Sequence, residues 1–233
     1  MPSPPKPLLD RKSLERSAVV ANNRMNRERN LHGVNSYQKE LGFDFLAWLR
    51  NRPGTVHWMD LCCGKGNALI HAAHDLAGTS DASRIHLEGL DLVGMFSPIP
   101  EDIVYPPSLQ IGSVAEWQPT VRYDLITCIH GIHYLGDKLG AIRHSLLQLK
   151  DDGLLAINLD PRNLKDENGN TLEAFWKSTI RQKGWTYNAR RHLLMITGRQ
   201  DWPETWQYLG ADDQAGPNYS GQPVVDSYYQ MGG

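Results

Sequence analysis

The stretch MDLCCGKGNALI, residues 59–70, decides how the rest of the chain is read. An apolar run ends on an acid, Asp60, and a bend containing Gly64 and Gly66 follows. Asn67 then opens a helical pattern with Leu69, Ala72, Ala73 and Leu76 along one side. Strand, glycine bend and helix in that order begin an open α/β sheet, whose ligands gather at the carboxyl ends of the strands. A diphosphate cradle wants a third glycine so that helix and strand pack closely, and Leu69 stands in its place. Gly64 and Gly66 let a ligand approach the backbone where a Cβ would intrude. The acid before the bend suits a ligand that carries positive charge and no phosphate.

The pattern downstream alternates. Residues 55–61, 85–92, 108–112, 123–129 and 154–159 predict strands, and 67–77, 138–150 and 171–183 predict helices. Such alternation implies a parallel sheet covered on both faces. Between the second and third strands, Pro98, Pro100, Pro106 and Pro107 leave little room for a crossover helix. Asp152-Gly153 predicts a turn into the fifth strand, and residues 192–197 and 205–209 predict a hairpin across the turn at 199–203. Upstream, residues 13–29 carry a helical pattern with Arg16, Arg24, Arg27 and Arg29, most of them expected on a solvated face. Tyr37, Leu41, Phe45 and Leu49 recur every four residues and share one helical face, which Gly42 divides and Asp44 caps anew. The opening MPSPPKPLLDRK reads as a flexible lead-in, and the tail after residue 209 as polar and rich in glycine and proline.

The chain has 233 residues, 40% hydrophobic and 21% charged, enough for one domain with a sizeable core. A formal net charge of -2 argues against nucleic-acid binding. No apolar run approaches the roughly 20 residues that span a bilayer, and no membrane is expected as a partner. Cys62, Cys63 and Cys128 give neither a disulfide framework nor the spacing of a zinc site, so a cytoplasmic setting and no metal are expected.

With these motifs placed, the chain resembles the class I S-adenosylmethionine-dependent methyltransferases. Asp60, Gly64 and Gly66 match the family's first motif, with Cys62 where its first glycine is usual. The resemblance implies an α/β, Rossmann-like, doubly wound sheet, mostly parallel and seven-stranded, that ends in an antiparallel hairpin. It places an N-terminal helical cap in residues 1–54, and the core with its tail in 55–233. S-adenosyl-L-methionine is then the donor and S-adenosyl-L-homocysteine the product. Asp91, at the end of strand two, is expected to take both ribose hydroxyls, with Glu88 as its rival within the strand. The acid usual beside the adenine amine is missing from GSVAEW, which leaves Ser113 or the backbone of Val114 to serve, with Leu92 and Trp117 flanking the ring or Trp117 simply core. Tyr37 and Arg29 are expected at the methionine end of the donor, with Asn35 an alternative to Arg29 there.

The acceptor is expected to be a small molecule, methylated on oxygen or nitrogen. His130 and then His133, in CIHGIHYL after strand four, are the candidate catalytic residues, and His130 with Gly131 is also expected to bind the donor at the mouth where its sulfonium methyl sits. For a phenol or alcohol, His130 as a base is worth about 10²–10⁴-fold; otherwise it positions substrate. Tyr134, Asp160 and Arg162 join Asn35 as acceptor-side candidates, and Asn218, Tyr219 and Tyr228 of the tail either fold over the mouth or lie on the surface. A monomer or homodimer fits equally. The other classes left open are a nicotinamide-dependent oxidoreductase and a non-catalytic nucleotide-binding protein of the same fold.

Overall fold

A computed structural model describes residues 7–21, 28–203 and 205–232. Residues 1–6 of the predicted lead-in, together with Arg24 and Arg27, lie outside the described residues; its second half is not a flexible lead-in, since Leu9 bridges Ala211 and Asp10 caps the first helix. Where one helix was expected from residue 13, two short ones form, α1 (Arg11–Glu15) and α2 (Ala18–Ala21), parted at Arg16-Ser17. Asp10 caps α1 by accepting from Ser13 N, and the paired β-branched Val19-Val20 favours helix weakly. The next two, α3 (Tyr37–Leu41) and α4 (Phe45–Arg50), follow the sequence reading closely. Gly42 ends α3 in the left-handed conformation at φ 78°, and the Asp44 carboxylate accepts from Ala47 N at the start of α4.

The main sheet begins with β1 (Val56–Leu61), followed by α5 (Asn67–Leu76), β2 (Ile85–Asp91), β3 (Ser108–Ile111) and β4 (Tyr123–Cys128). As the prolines dictate, no helix joins β2 to β3. Then come α6 (Lys138–Gln148), β5 (Leu149–Asn158), β6 (Leu164–Asp166), α7 (Glu173–Lys183), β7 (Thr186–Asn188) and β8 (Leu193–Thr197). Seven strands pair in the order β3-β2-β1-β4-β5-β8-β7, parallel through β5, with β8 antiparallel to both β5 and β7. The expected turn at Asp152-Gly153 is instead a bulge within β5, since Tyr123 pairs with Leu149 but Leu125 pairs with Leu154.

Neighbouring residues of each strand face opposite cores. Leu155 and Ile157 pack beneath α6 and α7, whereas Leu154 and Ala156 pack on the α4–α5 side. Asp60, in phase with Val56 and Trp58, therefore faces the side that holds Tyr37.

One expectation is corrected. Residues 205–209 do not form the hairpin with 192–197; they belong to β9 (Trp206–Asp212), which pairs with β10 (Asp226–Met231) in a separate sheet of order β6-β10-β9. The hairpin partner is β7, immediately before β8. With β5 on one side and β7 on the other, β8 has no edge left for β9. Trp176, Trp185, Trp202 and Trp206 stack in succession, with centroids 4.5–6.4 Å apart, and turn the chain away beneath α7. The second sheet also holds the start of the chain, because Leu9 bridges Ala211 and Leu14 packs with Val225.

Candidate functional site

Asp60, the glycine bend, Asp91 and His130 lie at the carboxyl ends of β1, β2 and β4. After β1 the chain bends through Cys62, Gly64 and Gly66 with φ of 56°, 61° and 73°. Cys62 thus keeps the left-handed backbone that a glycine would adopt easily, at about 1–2 kcal/mol of strain. A hydrogen bond to Cys128, then burial, hold its thiol well above the ordinary value, so it stays protonated. The third glycine is replaced from another strand. A Cβ on Gly89 of β2 would lie 2.6 Å from Leu69 Cδ1 and 2.8 Å from Cys63 Sγ, so Gly89 provides the room that Leu69 fills.

Asp91 ends β2 with its carboxylate pointed back at the bend. Oδ2 accepts from Gly64 N and Oδ1 from Val93 N, both at 3.0 Å. A carboxylate offers about four acceptor sites, so two backbone donors orient it without exhausting it. Glu88, the rival, turns away to Tyr123 Oη (3.0 Å) and His57 Nδ1 (3.3 Å). Asp91 lines a cavity of about 430 Å³, together with Cys62, Leu92, Ser113 and Val114. Trp117 is core, packed on Tyr123 and His144 outside the cavity lining. Tyr134, expected on the acceptor side, lines this cavity instead, next to Leu135 and Gly136. Its roof is α1, whose Leu14 and Glu15 face inward, and Ser113 Oγ donates to Glu15 Oε1 at 2.5 Å.

Asp60 is buried below the bend. Tyr37 Oη donates to Oδ2 (2.7 Å) and Thr127 Oγ1 to Oδ1 (2.6 Å), while Trp58 Nε1 donates to Thr127 Oγ1. Burial pushes the Asp60 carboxyl up from 3.8 to about 7, although both hydroxyls work to lower it. Burial likewise holds Tyr37 well above its ordinary value, reinforced by the charge of Asp60.

Ile129 and Gly131 also line the cavity, but the side chain of His130 between them is not part of that lining. At φ 59° the His130 backbone is left-handed, and a Cβ on Gly131 would come 2.3 Å from Cys62 Cβ. On the far side of this wall, His130 Nε2 lies 3.2 Å from Glu40 Oε1 and Nδ1 lies 3.4 Å from Tyr219 Oη. His133 Nε2 is 3.3 Å from the same oxygen. The Tyr219 ring stacks on His192 with centroids 3.9 Å apart and planes 13° apart. Burial lowers His130 against the pull of Glu40, and lowers His133 well below the ordinary histidine value, so both are neutral near pH 7. For Glu40 burial would raise the carboxyl, but His130 and Arg29 outweigh it and hold it below its usual value.

The other candidates partner one another. Arg29 Nη1 donates to Asn35 Oδ1 (2.6 Å) and Glu40 Oε1 (3.1 Å), and Arg162 forms a fork on Asp160. Asp160 Oδ1 lies 3.9 Å from His192 Nδ1. Glu15, Glu40 and His192 were not singled out from the sequence; each reaches its partners only through folding, across separations of 90 residues for Glu40 and His130 and 98 for Glu15 and Ser113. Of the tail candidates, Tyr219 folds inward and Tyr228 lies in β10.

A family profile described as a methyltransferase domain matches residues 25–209. The chain belongs to this family. Membership sets aside the nicotinamide oxidoreductase, in keeping with the missing third glycine. No curated protein matches the sequence. Among solved structures, this methyltransferase domain is similar to the plantazolicin methyltransferase BpumL in complex with a pentazolic desmethylPZN analog and SAH, at 13% identity over 64% of this chain and 65% of that one, with a TM-score of 0.46. It is similar to YjhP from E. coli at 21% identity, over 57% and 52% of the two chains, with a TM-score of 0.42. CalS10 from Micromonospora echinaspora, an amino pentose methyltransferase with SAM bound, is 21% identical over 55% and 58%, with a TM-score of 0.37. The chain spans less than two thirds of the length of each of these. Among the described residues no helix is long and apolar enough to cross a membrane.

Proposed function

We propose that the domain transfers a methyl group from S-adenosylmethionine to an oxygen or nitrogen of a small-molecule acceptor by in-line displacement. One observation carries the reading: the cavity beside the bend and the buried histidine cluster share a single wall, residues 129–131. Donor and acceptor would meet at the rim of that wall, where nothing stands between the methyl carbon and the attacking atom.

The residues fit such a donor. Asp91, oriented by two backbone N–H groups, presents its carboxylate to a vicinal diol. Leu92 and Val114 offer apolar contact to a purine, and Ser113 with Glu15 stands where its amine would need an acceptor. Asp60 is a desolvated carboxylate held near neutrality, and a cationic ligand at the bend would draw it back to the ionised form. Cys62, Gly64 and Gly66 keep the backbone low for close approach, and Tyr37 supports the bend from below through Asp60; Arg29, bonded to Glu40 beside His130, lies with the histidine cluster and outside the cavity lining. Bound there, the donor would supply a methyl carbon on positive sulfur, already a good leaving group. Alignment and exclusion of water then account for much of the rate, up to roughly 7–11 kcal/mol. His130 serves as base and His133 as its neighbour on the reacting oxygen, with Asn35, Asp160 and Arg162 bordering the acceptor side. The described cap helices α1 to α4 would cover both compartments.

Calorimetry with S-adenosylmethionine, S-adenosylhomocysteine and NADH tests the donor directly. Micromolar binding of the first two and none of NADH is expected, and failure of folded protein to bind either would sink the reading. Labelled-methyl transfer into a metabolite extract then separates an enzyme from a binder.

A further inference from the structure

We propose that the acceptor is a planar aromatic bearing a hydroxyl group, and that Tyr219 holds its place in the free protein. The inference rests on the proposed methyl transfer and names the substrate class for that same site. A single hydroxyl both donates and accepts, and the chamber offers one group of each kind. The Glu40 carboxylate, 3.2 Å from His130 Nε2 but not aligned for a hydrogen bond, favours by its charge the tautomer with the proton on that nitrogen, which leaves the Nδ1 lone pair toward the Tyr219 hydroxyl. His133 approaches the same oxygen through Nε2, the nitrogen free to donate when the ring is neutral. An ammonium has no lone pair to accept from His133, and a neutral amine gives a base nothing to do. The near-parallel stack on His192 selects a flat ring rather than an alkyl alcohol.

Tyr219 is carried by a piece of chain built to move as a unit. Val224 N donates to Gly216 O across the base of the turn, Pro217 bridges Pro223, and Asn218 Oδ1 accepts from Ser220 N and Oγ. Gly216 and Gly221, at φ of 85° and 75°, flank the tyrosine on either side. Beyond the turn the tail is anchored again, with Val225 N donating to His133 O. Lifting the turn withdraws one phenol and admits another. On transfer, the incoming oxygen's lone pair forms the bond to the methyl carbon while the carbon–sulfur pair returns to sulfur. The phenol proton passes to His130 Nδ1, so the positive charge that leaves sulfur ends on an imidazolium beside Glu40.

The test is calorimetric titration of Tyr219→Gly with p-cresol, the side chain that the substitution removes. Toluene and cyclohexanol serve as controls, and S-adenosylhomocysteine is titrated in parallel. The glycine variant should bind p-cresol about tenfold or more tighter than either control. The parent and Tyr219→Phe, which both keep a ring in the slot that must first be displaced, should bind it at least tenfold more weakly than the glycine variant. With S-adenosylmethionine present, the glycine variant should also form 4-methylanisole. If the glycine variant binds S-adenosylhomocysteine but prefers p-cresol no more than toluene, the acceptor class is wrong and the donor reading stands. If the parent takes p-cresol as well as the variant does, Tyr219 is no stand-in and the inference falls. Loss of S-adenosylhomocysteine binding by the parent overturns the donor reading itself. Tyr219→Ala gives the same readout with less backbone freedom, so poor folding of the glycine variant does not remove the test.

Discussion

Replacing Asp60 by asparagine should change the sign of its effect on stability between pH 5 and pH 8. In the folded chain burial raises this carboxyl from 3.8 to about 7. Between those values the folded state holds a proton that the unfolded state has released, so stability falls as pH rises through the interval and levels off above about 7. At about 1.36 kcal/mol per pH unit, the whole interval costs roughly 4 kcal/mol, of which about 3 kcal/mol lies between pH 5 and pH 8. Asparagine keeps the shape without the titration, but it offers one acceptor to the two hydroxyls of Tyr37 and Thr127. One hydroxyl must turn or go unpaired, at about 1–3 kcal/mol. At pH 5 the variant should therefore be the less stable protein by that amount, and at pH 8 the two should be equal or the variant ahead. Urea unfolding of both proteins at pH 5, 6, 7 and 8 measures the difference, and titratable groups common to both largely cancel from it. A difference that moves by less than about 1 kcal/mol across the range would mean that Asp60 is ionised throughout, and the case for a carboxylate awaiting a cation would go with it.

The same geometry makes further predictions. His130→Ala should lower turnover of a hydroxylated acceptor by about 10²–10⁴-fold while S-adenosylhomocysteine affinity stays within a few-fold, and a turnover loss of only a few-fold excludes base chemistry there. Gly131→Ala places a Cβ 2.3 Å from Cys62 Cβ and should cost about 1–3 kcal/mol in a thermal melt and weaken donor binding. Cys62→Gly removes that clash and relieves the left-handed strain, so the double variant should recover most of the loss; simple additivity of the two changes would refute the contact. Lys138 is fully buried, donates to Leu135 O, Val225 O and Ser227 Oγ, and is lowered from 10.5 to about 7 by burial. The unfolded chain then holds the extra proton above pH 7, so the parent should gain stability as pH rises from about 7 toward 10, a rise that Lys138→Met should lack in chemical unfolding.

The sheet was legible because its signals are local. The short apolar runs of β1, β4 and β5, the bend at Cys62–Gly66 and the stop-and-cap at Gly42 and Asp44 each lie within a few residues of what they dictate. Pairing partners are not local. Nothing in residues 206–212 says that they join Asp226–Met231 rather than the adjacent Leu193–Thr197. The three residues of β7 are too few to show a period, although alternation of Ser227, Tyr229 and Met231 was a faint sign of a strand in the tail. The candidate site divides the same way. Asp60, Asp91 and His130 follow strand ends and could be placed from order alone. Glu15, Glu40 and His192 come from a roof helix, a cap helix and a strand entry, and no spacing relates them to the bend.

The bridge between Leu9 and Ala211 also bears on biosynthesis. Strands β1 to β5 can pair once the ribosome has delivered residue 158, yet the donor chamber has no ceiling then. Glu15 can touch Ser113 early, but the packing of Leu9 on Ala211 and of Leu14 with Val225 that holds α1 over the chamber waits for β9 and β10. A nascent chain arrested before residue 206 would carry a formed sheet with an open mouth and should not retain the nucleoside. Ligand capture is in this sense a report that translation of the domain has run to its far end.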